Sequence, residues 1–140
     1  MCTECGAPGN ACEVRFHECL AREFEDPRYG SVHNLTVSAF MLQHSSELTR
    51  EGWLYERDLM REFLVAGVPP ERIRKEQKDN VDSGKRTFQI KSRTGLPVIP
   101  HVQWARTVLD VRLEKPEQYC EDVAVWARAA LVDAQAIELA

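Results

Sequence analysis

The chain opens with Cys2-Thr3-Glu4-Cys5-Gly6, and a third cysteine, Cys12, follows within the first twelve residues. A CxxCG run is typical of a zinc knuckle, in which a tight turn aims two thiolates at one cation and the glycine adopts a positive φ. Structural zinc takes four ligands at the corners of a tetrahedron. Cys2, Cys5 and Cys12 therefore predict a Zn²⁺ site whose fourth ligand comes from elsewhere in the chain.

Two helices are predicted to follow the knuckle and to form a hairpin over residues 11–44. Asn10 can cap the first helix, which ends at Asp26-Pro27 because proline disfavours helical geometry in the residue before it. The second helix follows Ser31 and runs to His44, and the short loop between the two favours antiparallel packing. The apolar stripe of the first helix has the spacing of one buried face and consists of Cys12, Phe16, Cys19, Leu20 and Phe24.

The register of this hairpin predicts the fourth ligand. If the turn centres on Arg28, the numbers of facing residues add to about 56, which places His44 opposite Cys12. His17 is nearer in sequence, but on a regular helix it is rotated by about 140° and displaced by about 7.5 Å from Cys12. The sequence therefore predicts His44 as the ligand, and His17 remains the alternative if Cys12 lies before the helix proper.

A second group of polar residues is predicted at the closed end of the hairpin. The same register places Glu23 and Asp26 opposite His33. An imidazole that faces two carboxylates suits a second metal, a general acid–base site, or a hydrogen-bond network that locks the hairpin. His33, Glu23 and Asp26 are therefore the candidate catalytic residues. His33 and His44 lie about 16 Å apart along one helix, so they cannot share an ion.

The rest of the chain predicts a mostly α-helical bundle that forms a single domain over residues 1–140. In it, a zinc knuckle (residues 1–15) packs on the helical hairpin. Further helices are predicted over residues 49–66, over residues 71–78 and from Pro116 onward, where the apolar spacing is helical. Residues 86–91 alternate as a strand does. Residues 107–113 fit a strand or a helix, so a small two-stranded β element is an option.

Composition and charge narrow the class of protein. The chain has 140 residues, 44% of them hydrophobic, and a net charge of −4. It lacks the roughly 18-residue apolar run of a membrane helix, and it shows no signal peptide. Its five cysteines are an odd number, which argues against a disulfide framework and predicts a cytoplasmic protein. Residues 72–93 carry eight Lys or Arg against three Asp or Glu.

Residues 16–37 have the sequence FHECLAREFEDPRYGSVHNLTV and are followed by Leu42-Gln43-His44. Together with the CxxCG knuckle, this pattern resembles a family of short bacterial proteins of unknown function. The similarity is weaker farther along, at Trp104, Thr107-Val108, Asp110-Val111, Tyr119-Cys120 and Trp126-Ala127. Members often have proline after the histidine of the LQH run, where this chain has Ser45. The resemblance implies that the knuckle and the hairpin belong to one unit, and it implies no activity.

Two classes of function are compatible with these patterns. The first is a zinc-binding accessory module with a structural metal, because thiolate-rich ligation is typical of structural sites. Its partner would be a protein or a small anionic ligand at the basic segment 72–93 and the loop 95–104. Nucleic acid is not favoured at a pI near 5.6, and no membrane is expected. The second is a small metalloenzyme, a hydrolase or lyase, that uses an open metal position or the His33 cluster.

Overall fold

A computed structural model of the chain describes residues 1–67 and 90–139. This part is mostly helical, as predicted. The described helices are α1 (Ala11–Glu25), α2 (Pro27–Gly30), α3 (His33–Gln43), α4 (Arg50–Leu64) and α5 (Pro116–Gln135). Two short 3₁₀ turns, Ser45–Glu47 and Val108–Asp110, interrupt the connections between them.

The α1–α3 pair has the predicted antiparallel register. Cys12 lies in one cluster with His44, the ring of Phe16 stacks on that of Phe40 with centroids 3.9 Å apart, and Glu23 bonds His33. In each of these pairs the two residue numbers add to 56. The second helix begins at His33 rather than after Ser31, because the one-turn helix α2 occupies the corner.

The buried face of α1 differs from the predicted stripe at its C-terminal end. Cys12, Phe16 and Cys19 are buried as expected, but the next buried residue is Glu23, whereas Phe24 is 93% exposed. Position 23 continues the i, i+4, i+7, i+11 spacing, and position 24 is rotated by about 100° away from it. Geometry therefore places a carboxylate in the core, which requires hydrogen-bond partners.

Helix α3 lies at the centre of the described fold, where it packs against α1, α4 and α5. Its last turn is held by indole hydrogen bonds. Trp53 Nε1 donates to the Leu42 carbonyl at 3.0 Å, and Trp126 Nε1 donates to Gln43 Oε1 at 3.0 Å. The Gln43 amide in turn donates to the Arg106 carbonyl at 2.7 Å. These bonds fix the end of α3, from which His44 projects.

The predicted β element is not observed. Residues 1–67 and 90–139 contain no strand, and Leu48 and Lys91 form an isolated antiparallel bridge. Residues 107–113 begin instead with a 3₁₀ turn, because Thr107 and Asp110 form a capping box across it. The predicted helix 71–78 and most of the predicted strand 86–91 lie outside the described residues. No described helix combines the length and the apolar character that spanning a bilayer requires.

Gly52 of α4 lies very close to the backbone of Ile90. A Cβ at this position would lie 2.5 Å from the Ile90 carbonyl oxygen. We expect Gly52→Ala to destabilise the protein by about 1–3 kcal/mol through this overlap, although alanine favours a helix by about 1 kcal/mol. Urea unfolding measures the difference. The control Glu62→Ala, on the exposed side of α4, should change stability by less than about 0.5 kcal/mol. Equal stability of both variants would contradict the close contact.

Candidate metal centre

Four side chains from two distant parts of the chain converge at one point. One ligand atom each from Cys2, Cys5, Cys12 and His44 lies within 4.8 Å of all the others. A tetrahedral site with metal–sulfur bonds of about 2.3 Å has sulfur atoms about 3.8 Å apart. The cluster is therefore close to the size of a metal site, and this arrangement could hold a metal ion.

The His44 ring is oriented for ligation. Its Nδ1 lies 2.8 Å from the Phe40 carbonyl oxygen, which can only accept a hydrogen bond, so Nδ1 carries the proton. The lone pair is then on Nε2, which is buried and has no hydrogen-bond partner. Burial lowers the pKa of His44, which favours the neutral form that binds metals. A backbone acceptor behind a ligating imidazole is a common support in metal sites.

The knuckle turn positions the two N-terminal thiols. Gly6 adopts φ +85°, its N–H donates to the Cys2 carbonyl at 2.9 Å, and the Cys2 N–H donates to the Ala7 carbonyl at 2.7 Å. Burial raises the pKa of Cys5 to about 12 and also raises the pKa of Cys12. At Cys2 burial acts in the same direction, but the backbone amides of Cys5 and Glu4 outweigh it and the pKa is lowered. A cation would replace the protons of these thiols.

Glu4, between the two knuckle cysteines, fastens the knuckle to the helical body. Its carboxylate accepts hydrogen bonds from the Ser46 amide at 2.9 Å and the Ser46 hydroxyl at 2.6 Å. Its backbone carbonyl accepts from Trp104 Nε1 at 3.1 Å. His101 Nδ1 approaches the Thr3 carbonyl at 3.3 Å. No local pattern predicts this role of Glu4, because its partners lie 42 and 100 residues away.

His17 lies apart from this cluster. It is exposed on α1, and its ring centroid is 6.2 Å from that of Phe16. The helix begins at Ala11, so Cys12 already lies within it. The rotation along a regular helix therefore separates His17 from Cys12, as the spacing implied.

The second predicted group is built around Glu23. Its carboxylate, 3% exposed, accepts hydrogen bonds from Thr36 Oγ1 at 2.6 Å and from the Tyr119 hydroxyl, and it meets His33 Nδ1 at 2.7 Å. Asp26, which was predicted to face His33, instead caps α2 and pairs with Arg28 at 2.8 Å. The group joins α1, α3 and α5, which fits a network that locks the hairpin.

A cavity of about 170 Å³ lies between α3 and α4, and His33, Ser38 and Glu56 line it. Burial raises the pKa of Glu56, against a smaller lowering by the hydroxyl of Ser38, which donates to Oε2 at 2.8 Å. The hydrogen bond places the Glu56 carboxyl group beside Ser38, which precedes His44 on α3 by about 9 Å along the helix axis.

Comparisons with known proteins agree with the resemblance noted above. A sequence model of a family of unknown function (DUF5946) matches residues 1–135. Neither the curated proteins nor the solved structures contain a match to the chain.

The raised pKa of Glu56 predicts a pH-dependent gain in stability for Glu56→Gln. The folded protein holds the Glu56 proton more tightly than the unfolded chain does. The free energy of unfolding therefore falls as the pH rises above 4.5, the ordinary pKa of a glutamate. The amide has no such titration, and its oxygen still accepts from Ser38. Urea unfolding should therefore show Glu56→Gln to be more stable than the parent at pH 7, with the gain lost near pH 4. The exposed control Glu62→Gln should show neither effect, and a less stable Glu56→Gln at pH 7 would contradict the prediction.

Proposed function

The chain belongs to this family of unknown function, and we propose that it is a zinc-stabilised binding or accessory module. Cys2, Cys5, Cys12 and His44 would hold one Zn²⁺, and the metal would be structural. The observation that carries the proposal is the buried Nε2 of His44, which has no hydrogen-bond partner and belongs to a cluster with three thiols. An unpaired buried acceptor is costly, and a bound cation would satisfy it.

The chemistry of the donor set supports zinc and a structural role. Three thiolates and one imidazole are soft or borderline ligands, which suit Zn²⁺ better than Mg²⁺ or Ca²⁺. Four protein ligands complete a tetrahedron and leave no position for a reacting water. All five cysteines are free, so the thiolate site fits a reducing compartment such as the cytoplasm.

The proposed metal would tie the N-terminal segment to the end of α3. A cross-link between residues distant in sequence stabilises a fold mainly by restricting the unfolded chain. Here the cross-link would also hold the backbone of Thr3 and Glu4 against His101 and Trp104, since hydrogen bonds join these two pairs. The metal would therefore order a surface made by two separate segments.

That surface contains a cavity of about 190 Å³, and we propose that the partner binds there. Its walls come from the knuckle, from the end of α3 and from the loop 97–104. Trp104 and Ile99 give it an apolar side, and Glu4 and His101 give it a polar one. Mixed linings of this kind suit a side chain of a partner protein or a small ligand. Most of the basic segment 72–93, the other predicted contact surface, lies outside the described residues.

An enzymatic role for the metal is the alternative. Of the acid–base candidates, His33 begins α3, about 16 Å from His44 by the rise of a helix, and Glu23 of α1 contacts it there. A general base has to lie within hydrogen-bond distance of the proton that it removes, or one water away. A water on the metal would be out of reach of His33, so the geometry favours the structural role.

Cobalt substitution tests the proposal directly. We expect the reduced protein to bind one Co²⁺ per chain, with the visible absorption of a four-coordinate S₃N site and no spectral change when azide is added. Zn²⁺ should displace the cobalt. Binding without these bands would contradict the ligand set, and an azide-dependent spectrum would indicate an exchangeable position and favour the enzyme.

The two histidines provide a matched comparison for the fourth ligand. His44→Ala should weaken Co²⁺ binding at least 100-fold, on the order of 3 kcal/mol, and shift the spectrum, because one ligand is lost. His17→Ala should leave affinity and spectrum unchanged. Competition with a chromophoric chelator measures both affinities. The opposite ranking would contradict the register of α1 and α3.

Hydrogen exchange tests whether the metal orders the proposed binding surface. Removal of Zn²⁺ should speed amide exchange at Ser46, whose N–H donates to Glu4, and at Val98, whose N–H donates to Ser45. The amide of Val123 in the buried face of α5 serves as the internal control and should change little. Equal exchange at Ser46 and Val98 with and without zinc would contradict the coupling of metal and surface.

A further inference from the structure

We propose that a cleft beside the metal cluster is the route by which a hydrated divalent cation reaches the thiols, and that Glu13 and Glu47 form a first, transient binding site for it. The inference rests on the proposed function, because it concerns the loading of the same centre. It assigns a role to two carboxylates that are not ligands in the cluster.

The cleft is lined in part by residues of the cluster. It has a volume of about 350 Å³, and Cys2, Cys12 and His44 are among the residues that line it. His44 is only 6% exposed, and its Nε2 has no hydrogen-bond partner. A cavity of this size accommodates several water molecules, each of which takes about 30 Å³ in the liquid. A cation can therefore enter the cleft beside the cluster while it still carries part of its hydration shell.

The cleft is lined by three glutamates, which outnumber the one amino group of Met1, so its net charge attracts cations. Glu13, from the first turn of α1, and Glu47, from the 3₁₀ turn after His44, line it, and both are exposed. Within residues 1–67 and 90–139, neither of them takes part in an ion pair, and no lysine or arginine lines the cleft. Glu4 also lines it, but hydrogen bonds from Ser46 occupy both of its carboxylate oxygens.

The carboxylates of Glu13 and Glu47 line the same cleft as Cys2, Cys12 and His44. A cation drawn to them is therefore beside the cluster. Carboxylate clefts raise the local concentration of cations and speed association by about 10-fold or more, an effect that salt screens.

Oxygen and sulfur ligands differ in how strongly they select between metal ions. Carboxylate oxygens bind hydrated cations without discriminating strongly between them, whereas thiolates select soft ions such as Zn²⁺. Capture at Glu13 and Glu47 would therefore precede selection at Cys2, Cys5 and Cys12.

Stopped-flow loading of the reduced, metal-free protein with Co²⁺ tests the route. The rise of the thiolate–cobalt absorption reports arrival at the centre. For the double variant Glu13→Gln/Glu47→Gln we expect loading at low ionic strength to be roughly tenfold slower than in the parent, with little remaining dependence on salt. The final spectrum and the stoichiometry should be unchanged, because neither residue is a ligand.

The double variant Glu18→Gln/Glu25→Gln is the matched control, since it removes the same charge from exposed positions of α1 outside the cleft. It should load at nearly the parental rate. Equal rates for the two double variants would overturn the route while leaving the metal centre intact. A changed final spectrum in the cleft variant would also overturn it, because a glutamate would then be a ligand. If the parent shows no S₃N cobalt spectrum, the proposed function fails first, and the route fails with it.

Discussion

The rings of Phe16 and Phe40 stack almost parallel, with an interplanar angle of 4°, midway along the α1–α3 pair. Two helices that meet through such flat surfaces have little freedom to slide, since a shift by one turn of about 5.4 Å would separate the rings. The same register brings Cys12 to His44 at one end and Glu23 to His33 at the other. The cluster of three thiols with His44 and the buried carboxylate network therefore depend on the same register between α1 and α3.

A second constraint acts at the end of α3. His44 leaves the helix with φ −127° and ψ 64°, and it is held between the helix and the 3₁₀ turn Ser45–Glu47. A further helical residue would rotate the ring by about 100° away from the thiols. The residues after His44 also hold the knuckle, because the Ser46 hydroxyl donates a hydrogen bond to the carboxylate of Glu4. Helix termination, ligand orientation and docking of the knuckle are thus properties of four consecutive residues, His44–Glu47.

Much of this fold and of the cluster could be predicted from residues whose effect is local in the sequence. Pro27 ends α1, the CxxCG run predicts a turn with two thiols on one side, and the short corner predicts an antiparallel partner. Two features required tertiary information. Periodicity assigned Phe24 to the core because it weighs hydrophobicity, whereas Glu23 is buried by donors from α3 and α5. Glu4 could not be recognised as an anchor without knowledge of Ser46 and Trp104. In contrast, the capping box of Thr107 and Asp110 is a local pattern, and it favours a turn over a strand at residues 107–113.

The hydrogen bond between Trp104 and the Glu4 carbonyl joins residues 100 positions apart, and this separation has a consequence for biosynthesis. A ribosome makes the knuckle before any of its partners, so Cys2 and Cys5 emerge with neither His44 nor Trp104 available. Contacts of such long range form late in folding, because the intervening chain has to be ordered first. The knuckle is therefore translated before its partners but is immobilised only with them, and until then its thiols are open to competing ions and oxidants in the surrounding solution.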